Sequence, residues 1–278
     1  MGYRLCAFAD EADPLLTGQI AAMKRNGIGF LEIRGVDGEN IAALPAQKVR
    51  SVAALLEDSG LSVWSIGSPI GKIRLADDFE AHKDVFRKLL DHASVLGAKA
   101  FRLFSFYEAA GETEEVIDRL GQLCDLAAAY PVRLCHENEK GIYGDTASRV
   151  KVLLDALPAL GSVFDPANFI QCGETILPAW ELLKDRTDYL HIKDASADGT
   201  VVPSGYGIGQ IGAVVKDYLS RGGEVLTLEP HLMEFTGLKG LEEEEGRTPL
   251  GSLRFRYRDN NEAFDAAVHA LKAILARI

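Results

Sequence analysis

The chain has 278 residues, 47% of them hydrophobic and 26% charged, with a formal net charge of −11. That charge argues against nucleic acid, whose backbone is held by clustered Lys and Arg, and no apolar stretch approaches the roughly 20 residues that span a bilayer. The N-terminal MGYRLCAFADEAD acquires acids too early for a secretory signal, so a cytoplasmic globular protein is expected, and the four cysteines, with no CxxC spacing, read as free buried thiols.

Strand and helix signals then alternate. YRLCAFA (3–9) reads as the first strand and DEADP (10–14) as its loop. A helix follows with Leu15, Leu16, Ile20 and Met23 on one face, ending near Asn26-Gly27. GFLEIRG (29–35) is strand two, and Pro45 opens a helix with Val49, Val52, Ala53 and Leu56 spaced for burial. LSVWSIG (61–67) is strand three, followed by the long loop SPIGKIRLADD (68–78) and a helix over 79–96 that stops at Gly97. KAFRLFSF (99–106), a helix over 112–129, VRLCHE (132–137), a helix over 145–157, GSVFD (161–165) and a helix over 174–185 continue the pattern. TDYLHIK (187–193), a loop carrying SGYGIG (204–209), a helix over 210–221, EVLTLE (224–229) and a last helix over 260–277 complete it.

Eight strand–helix units without a linker or repeat predict one closed (β/α)₈ TIM barrel spanning residues 1–278. The one irregular insertion, 231–259, holds an acidic run (Glu242 to Glu245) and RFRYR (254–258). A lid, an oligomer contact and a solvated excursion are all open readings of it. The Gly-rich SGYGIG precedes a helix, where barrels often hold phosphate on backbone N–H groups; a plain turn is the alternative, and a dinucleotide fingerprint lacks its first-strand context.

Four of the later strands end on a potential metal ligand: Glu137, Asp165, His191 and Glu229. Carboxyl ends of barrel strands share one mouth, so three carboxylates and an imidazole would converge and repel without a counter-charge. A divalent cation is the simplest remedy. With oxygen and nitrogen donors and no thiolate, Mn²⁺ suits the set first, with Mg²⁺, Co²⁺ or Zn²⁺ as alternatives.

The segments SIGSPIGK (65–72), HENEKGIYGD (136–145), FDPANF (164–169), YLHIKDA (189–195) and LEPH (228–231) resemble the sugar phosphate isomerase/epimerase family. These are xylose isomerase-like TIM barrels of the AP endonuclease family 2 superfamily. The resemblance implies the same four metal ligands, with Glu137 and Glu229 also moving protons on opposite faces of the substrate. It implies a metal-dependent isomerase or epimerase of a sugar, sugar phosphate or keto-polyol, working by proton abstraction beside a carbonyl through a metal-stabilised ene-diolate. Too few histidines stand near the mouth (His136, His191, His231) for the three-zinc cluster of the related endonuclease IV enzymes.

Two departures bear on the substrate. Asn168 stands where the ketose 3-epimerases of the family carry a substrate-binding His, and Ala197 where they tend to carry an Arg. A lyase or glycoside-cleaving enzyme acting on a 3-keto sugar is therefore a second reading, and a non-catalytic sugar-binding barrel a third. Asn168, Lys193, Glu139, Lys72 and His231 are candidate substrate-binding residues; the alternatives are a Lys193–Asp194 pair, a Glu139–Lys140 pair and a loop-capping His231. Glu32, Arg34 and Arg102 read as either anion binders or internal salt bridges. Trp64, Phe104, Phe106 and Tyr107 are candidates for an apolar wall against a sugar ring, and strand alternation turns His136 away from the mouth. The expected partner is a small carbohydrate, with a homo-oligomer open.

Overall fold

The computed structural model describes residues 2–237, 249–250 and 254–278. Eight parallel strands close a barrel: β1 (Arg4–Ala7), β2 (Phe30–Ile33), β3 (Ser62–Gly67), β4 (Ala100–Leu103), β5 (Arg133–Glu137), β6 (Gly161–Phe164), β7 (Thr187–Ile192) and β8 (Val225–Leu228). Each strand pairs with its neighbour in sequence, and β8 closes on β1 with Cys6 opposite Thr227 and Ala7 opposite Leu228. The expected eight-stranded architecture is present.

Side chains alternate across each strand. The outward residues Leu103, Leu134, Leu190 and Leu226 are buried with the apolar faces of the surrounding helices, among them α1 (Leu16–Arg25) with Leu16, Ile20 and Met23, α2 (Ala46–Asp58) with Val49, Val52 and Leu56, and α3 (Phe79–Leu96) with Phe86, Leu89 and Leu90. The inward residues of the lower barrel form a separate plug: Cys6, Ala100, Cys135, Val163, Tyr189 and Val225, with Phe30 and Trp64 against it. Two residues past Cys135, Val163 and Tyr189 come Glu137, Asp165 and His191, so the plug is the floor beneath the polar mouth. The same alternation faces His136 outward, where its Nε2 lies 2.9 Å from Ser105 Oγ and burial pushes the imidazole down to about 3.

The sixth unit differs from expectation. Two helices, not one, follow β6: a short one over Pro166–Gln171 and a second over Ile176–Leu183. Asp165 caps the first by accepting the N–H of Asn168 at 3.0 Å, and Pro166 opens it. Six residues are too few for an amphipathic period, so the sequence pattern shows only the second helix. Of the 231–259 insertion, residues 231–237 lie within the described chain and include buried His231, Leu232 and Phe235. The Glu242 to Glu245 run lies outside the described residues.

The Gly-rich loop after β7 is a turn wrapped on a carboxylate. The N–H groups of Gly205, Gly207 and Gly209 donate to buried Asp194 at 2.8, 3.1 and 2.8 Å, and so does that of Ala195 at 2.9 Å. Those donors are occupied by Asp194, which overturns the phosphate reading. A Cβ on Gly207 would lie 2.3 Å from the Ala195 carbonyl oxygen, which accounts for glycine there. Asp194→Ala strands four N–H groups and is expected to cost about 2–4 kcal/mol in a denaturant titration.

The loop 68–78 is pinned differently: Gly71 N–H donates to His82 Nε2 on α3 at 2.9 Å, and burial pushes that imidazole down to about 4. An unfolded His near 6.5 binds more protons than the folded one between these values. Stability is therefore lost as pH falls from about 6.5 to 4, and His82→Gln is expected to shallow the slope of unfolding midpoint against pH in that window.

Candidate metal centre

Glu137 ends β5, Asp165 follows β6, His191 lies in β7 and Glu229 follows β8, and all four are buried. One ligating atom from each lies within 4.8 Å of the others. His191 Nδ1 is 2.8 Å from Glu137 Oε1, 3.5 Å from Glu229 Oε2 and 4.0 Å from Asp165 Oδ2. The mouth thus brings together the four residues expected to meet there.

The other ring nitrogen of His191 is held from below. Its Nε2 lies 3.2 Å from Glu32 Oε2, while Glu32 Oε1 accepts the Tyr189 hydroxyl at 2.9 Å. A carboxylate behind a histidine fixes which nitrogen faces the centre and raises its basicity. Against the cost of burial, the charges of Glu137 and Glu32 hold the His191 pKa well above the ordinary imidazole range. Glu32 stays low despite burial because His191 and Arg102 are beside it.

Lys193 enters the same space, its Nζ 2.8 Å from Glu229 Oε2 and 2.9 Å from Asp165 Oδ2. This overturns the Lys193–Asp194 pairing, since Asp194 is spent on the Gly-rich loop. The Lys193 contact to Asp165 is close but off the hydrogen-bonding direction, and Asp165 Oδ2 makes no hydrogen bond. Burial pushes the Asp165 carboxyl up to about 7, with Lys193 opposing and Glu229 and Glu137 adding to it. Asp165 Oδ2 faces two more carboxylates and an imidazole, with Lys193 as the one ammonium among them, and the four-residue donor set fits a cation.

Arg34 braces the side of β1 and β8. It donates to Asp10 through Nε (2.9 Å) and Nη2 (3.1 Å), to Glu11 through Nη2 (3.0 Å) and to Glu229 through Nη1 (3.1 Å). Its guanidinium lies 4.3 Å from the centroid of the Phe8 ring and 4.6 Å from that of Phe235. Of its two sequence readings, internal salt bridges are therefore what forms. Glu11 also accepts the His231 N–H at 2.6 Å and lies 3.1 Å from its Nδ1. Glu229 is held well below the usual carboxylate range, burial being outweighed by Lys193, His231 and His191.

The remaining candidates divide. A cavity of about 20 Å³ is lined by Lys72, Glu139, Lys193 and His231, together with Arg34, Arg102, Phe104, Glu137 and Glu229. Glu139 pairs with Lys72 at 3.2 Å as well as with Lys140 at 3.6 Å, and these cations with Lys193 outweigh burial to hold its carboxyl low. Asn168 lies under the centre, donating to the Asn138 carbonyl at 2.9 Å and reaching Glu137 Oε1 at 3.4 Å. Of the four aromatics only Phe104 reaches the cavity: Trp64 belongs to the floor, Phe106 packs on Phe79, and Tyr107 bridges rim residues Arg74 and Ile142. A groove of about 460 Å³, lined by Glu11, Asp13 and Phe235, lies beside this site but contains none of the four ligands.

Asp10, Glu11, Asn138 and Tyr189 escaped the sequence reading. Asn138 joins β5 to β6 through both the N–H and the carbonyl of Asp165, each at 2.9 Å. The available signal was alternation: Glu32 and Arg34, two apart in an otherwise apolar strand, had to face the mouth and needed buried partners.

A family model for the xylose isomerase-like TIM barrel matches residues 20–244, and the chain belongs to that family. No curated protein matches the sequence. Among solved structures the chain is similar to D-allulose 3-epimerase from Methylomonas sp., at 17% identity and a TM-score of 0.74 over 98% of each chain. It is similar to the probable 3-DHS dehydratase AsbF of petrobactin synthesis from Bacillus anthracis, at 19% and 0.72, covering 98% of this chain and 99% of that one. The IOLI protein with a binding zinc atom is similar at 17% and 0.72, covering 99% and 98%. At these identities the likeness is one of fold.

Glu32→Gln removes the charge behind His191 while keeping its shape. The variant is expected to bind Mn²⁺ about 10–100-fold more weakly in a metal titration; unchanged affinity would show that Glu32 does not orient the ligand.

Proposed function

We propose that the protein is a divalent-metal-dependent enzyme that abstracts a proton beside the carbonyl of a sugar or keto-polyol. The observation that carries this reading is the convergence of Glu137, Asp165, His191 and Glu229, one ligating atom of each within 4.8 Å of the others, with three carboxylates facing the single ammonium of Lys193. A divalent ion held by these four would supply Lewis-acid polarisation of the carbonyl and neutralise charge growing on its oxygen. Mn²⁺ is the ion we assign first; the IOLI structure contains zinc.

Glu137 and Glu229 border the cavity from strands on opposite sides of His191 and are the proton-transfer pair in this reading. Glu229, held ionised by Lys193, His231 and His191, is the residue that removes the proton in this reading. Glu137, with one oxygen 2.8 Å from His191 and the other 3.3 Å from Arg102 Nε, is suited to return one from the other face. Return to the same carbon is epimerisation, and return to its neighbour is isomerisation. Lys193 is placed to donate to a developing oxyanion. The cavity of about 20 Å³ has room for roughly one water molecule, so in this reading its lining opens to admit a sugar.

A second reading is elimination on the same site: after proton abstraction, the neighbouring carbon loses its hydroxyl as water or its glycosyl oxygen. Asn168, an amide that cannot titrate, and the similarity to a probable dehydratase support it. Purified wild type is expected to carry about one metal ion per chain, lost in His191→Ala and Asp165→Ala. In D₂O it is expected to place deuterium beside the carbonyl of its substrate among ketoses, inososes and 3-keto-glycosides. Glu137→Gln should slow that exchange at least about 10²-fold. A product lacking water or its aglycone identifies elimination, and absence of metal from wild type refutes the proposal.

A further inference from the structure

Arg102 is a buried arginine that is ion-paired but whose Nε makes no hydrogen bond. Its side chain is 3% exposed and its Nε has no hydrogen-bond partner. The nearest acids are Glu137 at 3.3 Å and Glu32 at 3.7 Å from Nε, both poorly aligned, and among the described residues the guanidinium donates to none. Arg34, which lines the same cavity, spends its fork on Asp10, Glu11 and Glu229. Two arginines of one cavity thus differ: the fork of Arg34 is hydrogen-bonded by carboxylates, while Arg102 is ion-paired with its Nε free of hydrogen bonds.

An arginine presents five N–H donors in a planar fork, and burying them unpaired is costly. The surroundings of Arg102 also give it direction. It lies over the Phe104 ring at 4.6 Å, and Lys72, paired with Glu139 at 3.2 Å, lies over the same ring at 4.4 Å, so two cations stand on the wall built from β4 and the loop after β3. Asp10, Glu11 and Glu229 are gathered around Arg34, whereas Glu137, Glu139 and Glu32 lie beside Arg102 and Lys72. Gly67 leaves the space the fork needs, since a Cβ there would lie 3.1 Å from Arg102 Nη2 and 2.6 Å from the Phe8 ring.

We infer that Arg102, backed by Lys72, receives a carboxylate of the substrate, so that the substrate is a keto acid of the sugar or polyol series and not a neutral ketose. The inference rests on the reading of the site as one for a hydroxylated carbonyl compound. A carboxylate is favoured over phosphate because the backbone N–H groups of the Gly-rich loop, the customary phosphate cradle, are taken by Asp194. The fork matches a planar carboxylate through two parallel N–H···O bonds.

The test compares three probes with one carbon skeleton: 2-keto-D-gluconate, D-fructose and D-fructose 1-phosphate, which differ only at C1. Dissociation constants are measured by calorimetry on the full chain with Mn²⁺ present, for wild type, Arg102→Met and Arg102→Lys. Wild type is expected to bind the keto acid at least about tenfold more tightly than fructose. Arg102→Met should erase the difference and Arg102→Lys restore part of it. Equal or weaker binding of the acid, no binding of it, tighter binding of the phosphate, or a preference that survives in Arg102→Met overturns the inference. The preference is read from binding alone, whereas deuterium exchange on the same compounds reads the proposed reaction, so each can fail without the other.

Discussion

The organising constraint of this molecule is the burial of many charges at one end of a barrel. Asp10, Glu11, Glu32, Glu137, Asp165 and Glu229 are all buried. Buried charges persist only when paired, hydrogen-bonded or bound to a metal. Arg34, Arg102, Lys193 and His191 are placed accordingly, one beside each group of acids. The Phe8, Phe104 and Phe235 rings then cover the arginines and keep water from screening them. Removing a single partner leaves an uncompensated charge, which is why the mouth behaves as one unit and not as separate residues.

The floor of the barrel makes that unit rigid. Tyr189 belongs to the apolar plug yet its hydroxyl donates to Glu32, which in turn orients His191. Asn138 and Asp165 exchange backbone and side-chain hydrogen bonds across β5 and β6, so the ligand on one strand is registered against its neighbour. Asp165 also caps the short helix after β6, giving one side chain a structural oxygen and leaving the other oxygen toward the centre. Packing, capping and site chemistry are therefore shared among the same few residues.

Much of this was legible in the order of residues along the chain. A strand end is a local event: apolar alternation stops, and a Glu, Asp or His follows, so Glu137, Asp165, His191 and Glu229 stood out individually. His136 could be turned away from the mouth by the same period of two. The short helix over Pro166–Gln171 was not legible, because six residues make no periodic face. The phosphate reading of SGYGIG failed for a related reason, since the acceptor of its N–H groups, Asp194, lies 11 to 15 residues earlier across a small hairpin.

The sequence by itself determined the strand–helix alternation, the closed barrel and the identity of the four residues at its mouth, because each depends on spacing within a short window. Pairings between distant residues were decided only by the tertiary structure: Arg34 with Glu229 across 195 positions, His191 with Glu32 across 159, and Lys193 with Asp165 and Glu229 instead of its neighbour Asp194. A long charged side chain near a barrel mouth has several acids within reach, and spacing ranks none of them. Barrel closure brings β1, β2 and β8 together, and only then does it become clear that Arg34 is hydrogen-bonded to three carboxylates while Arg102 is ion-paired with its Nε unbonded.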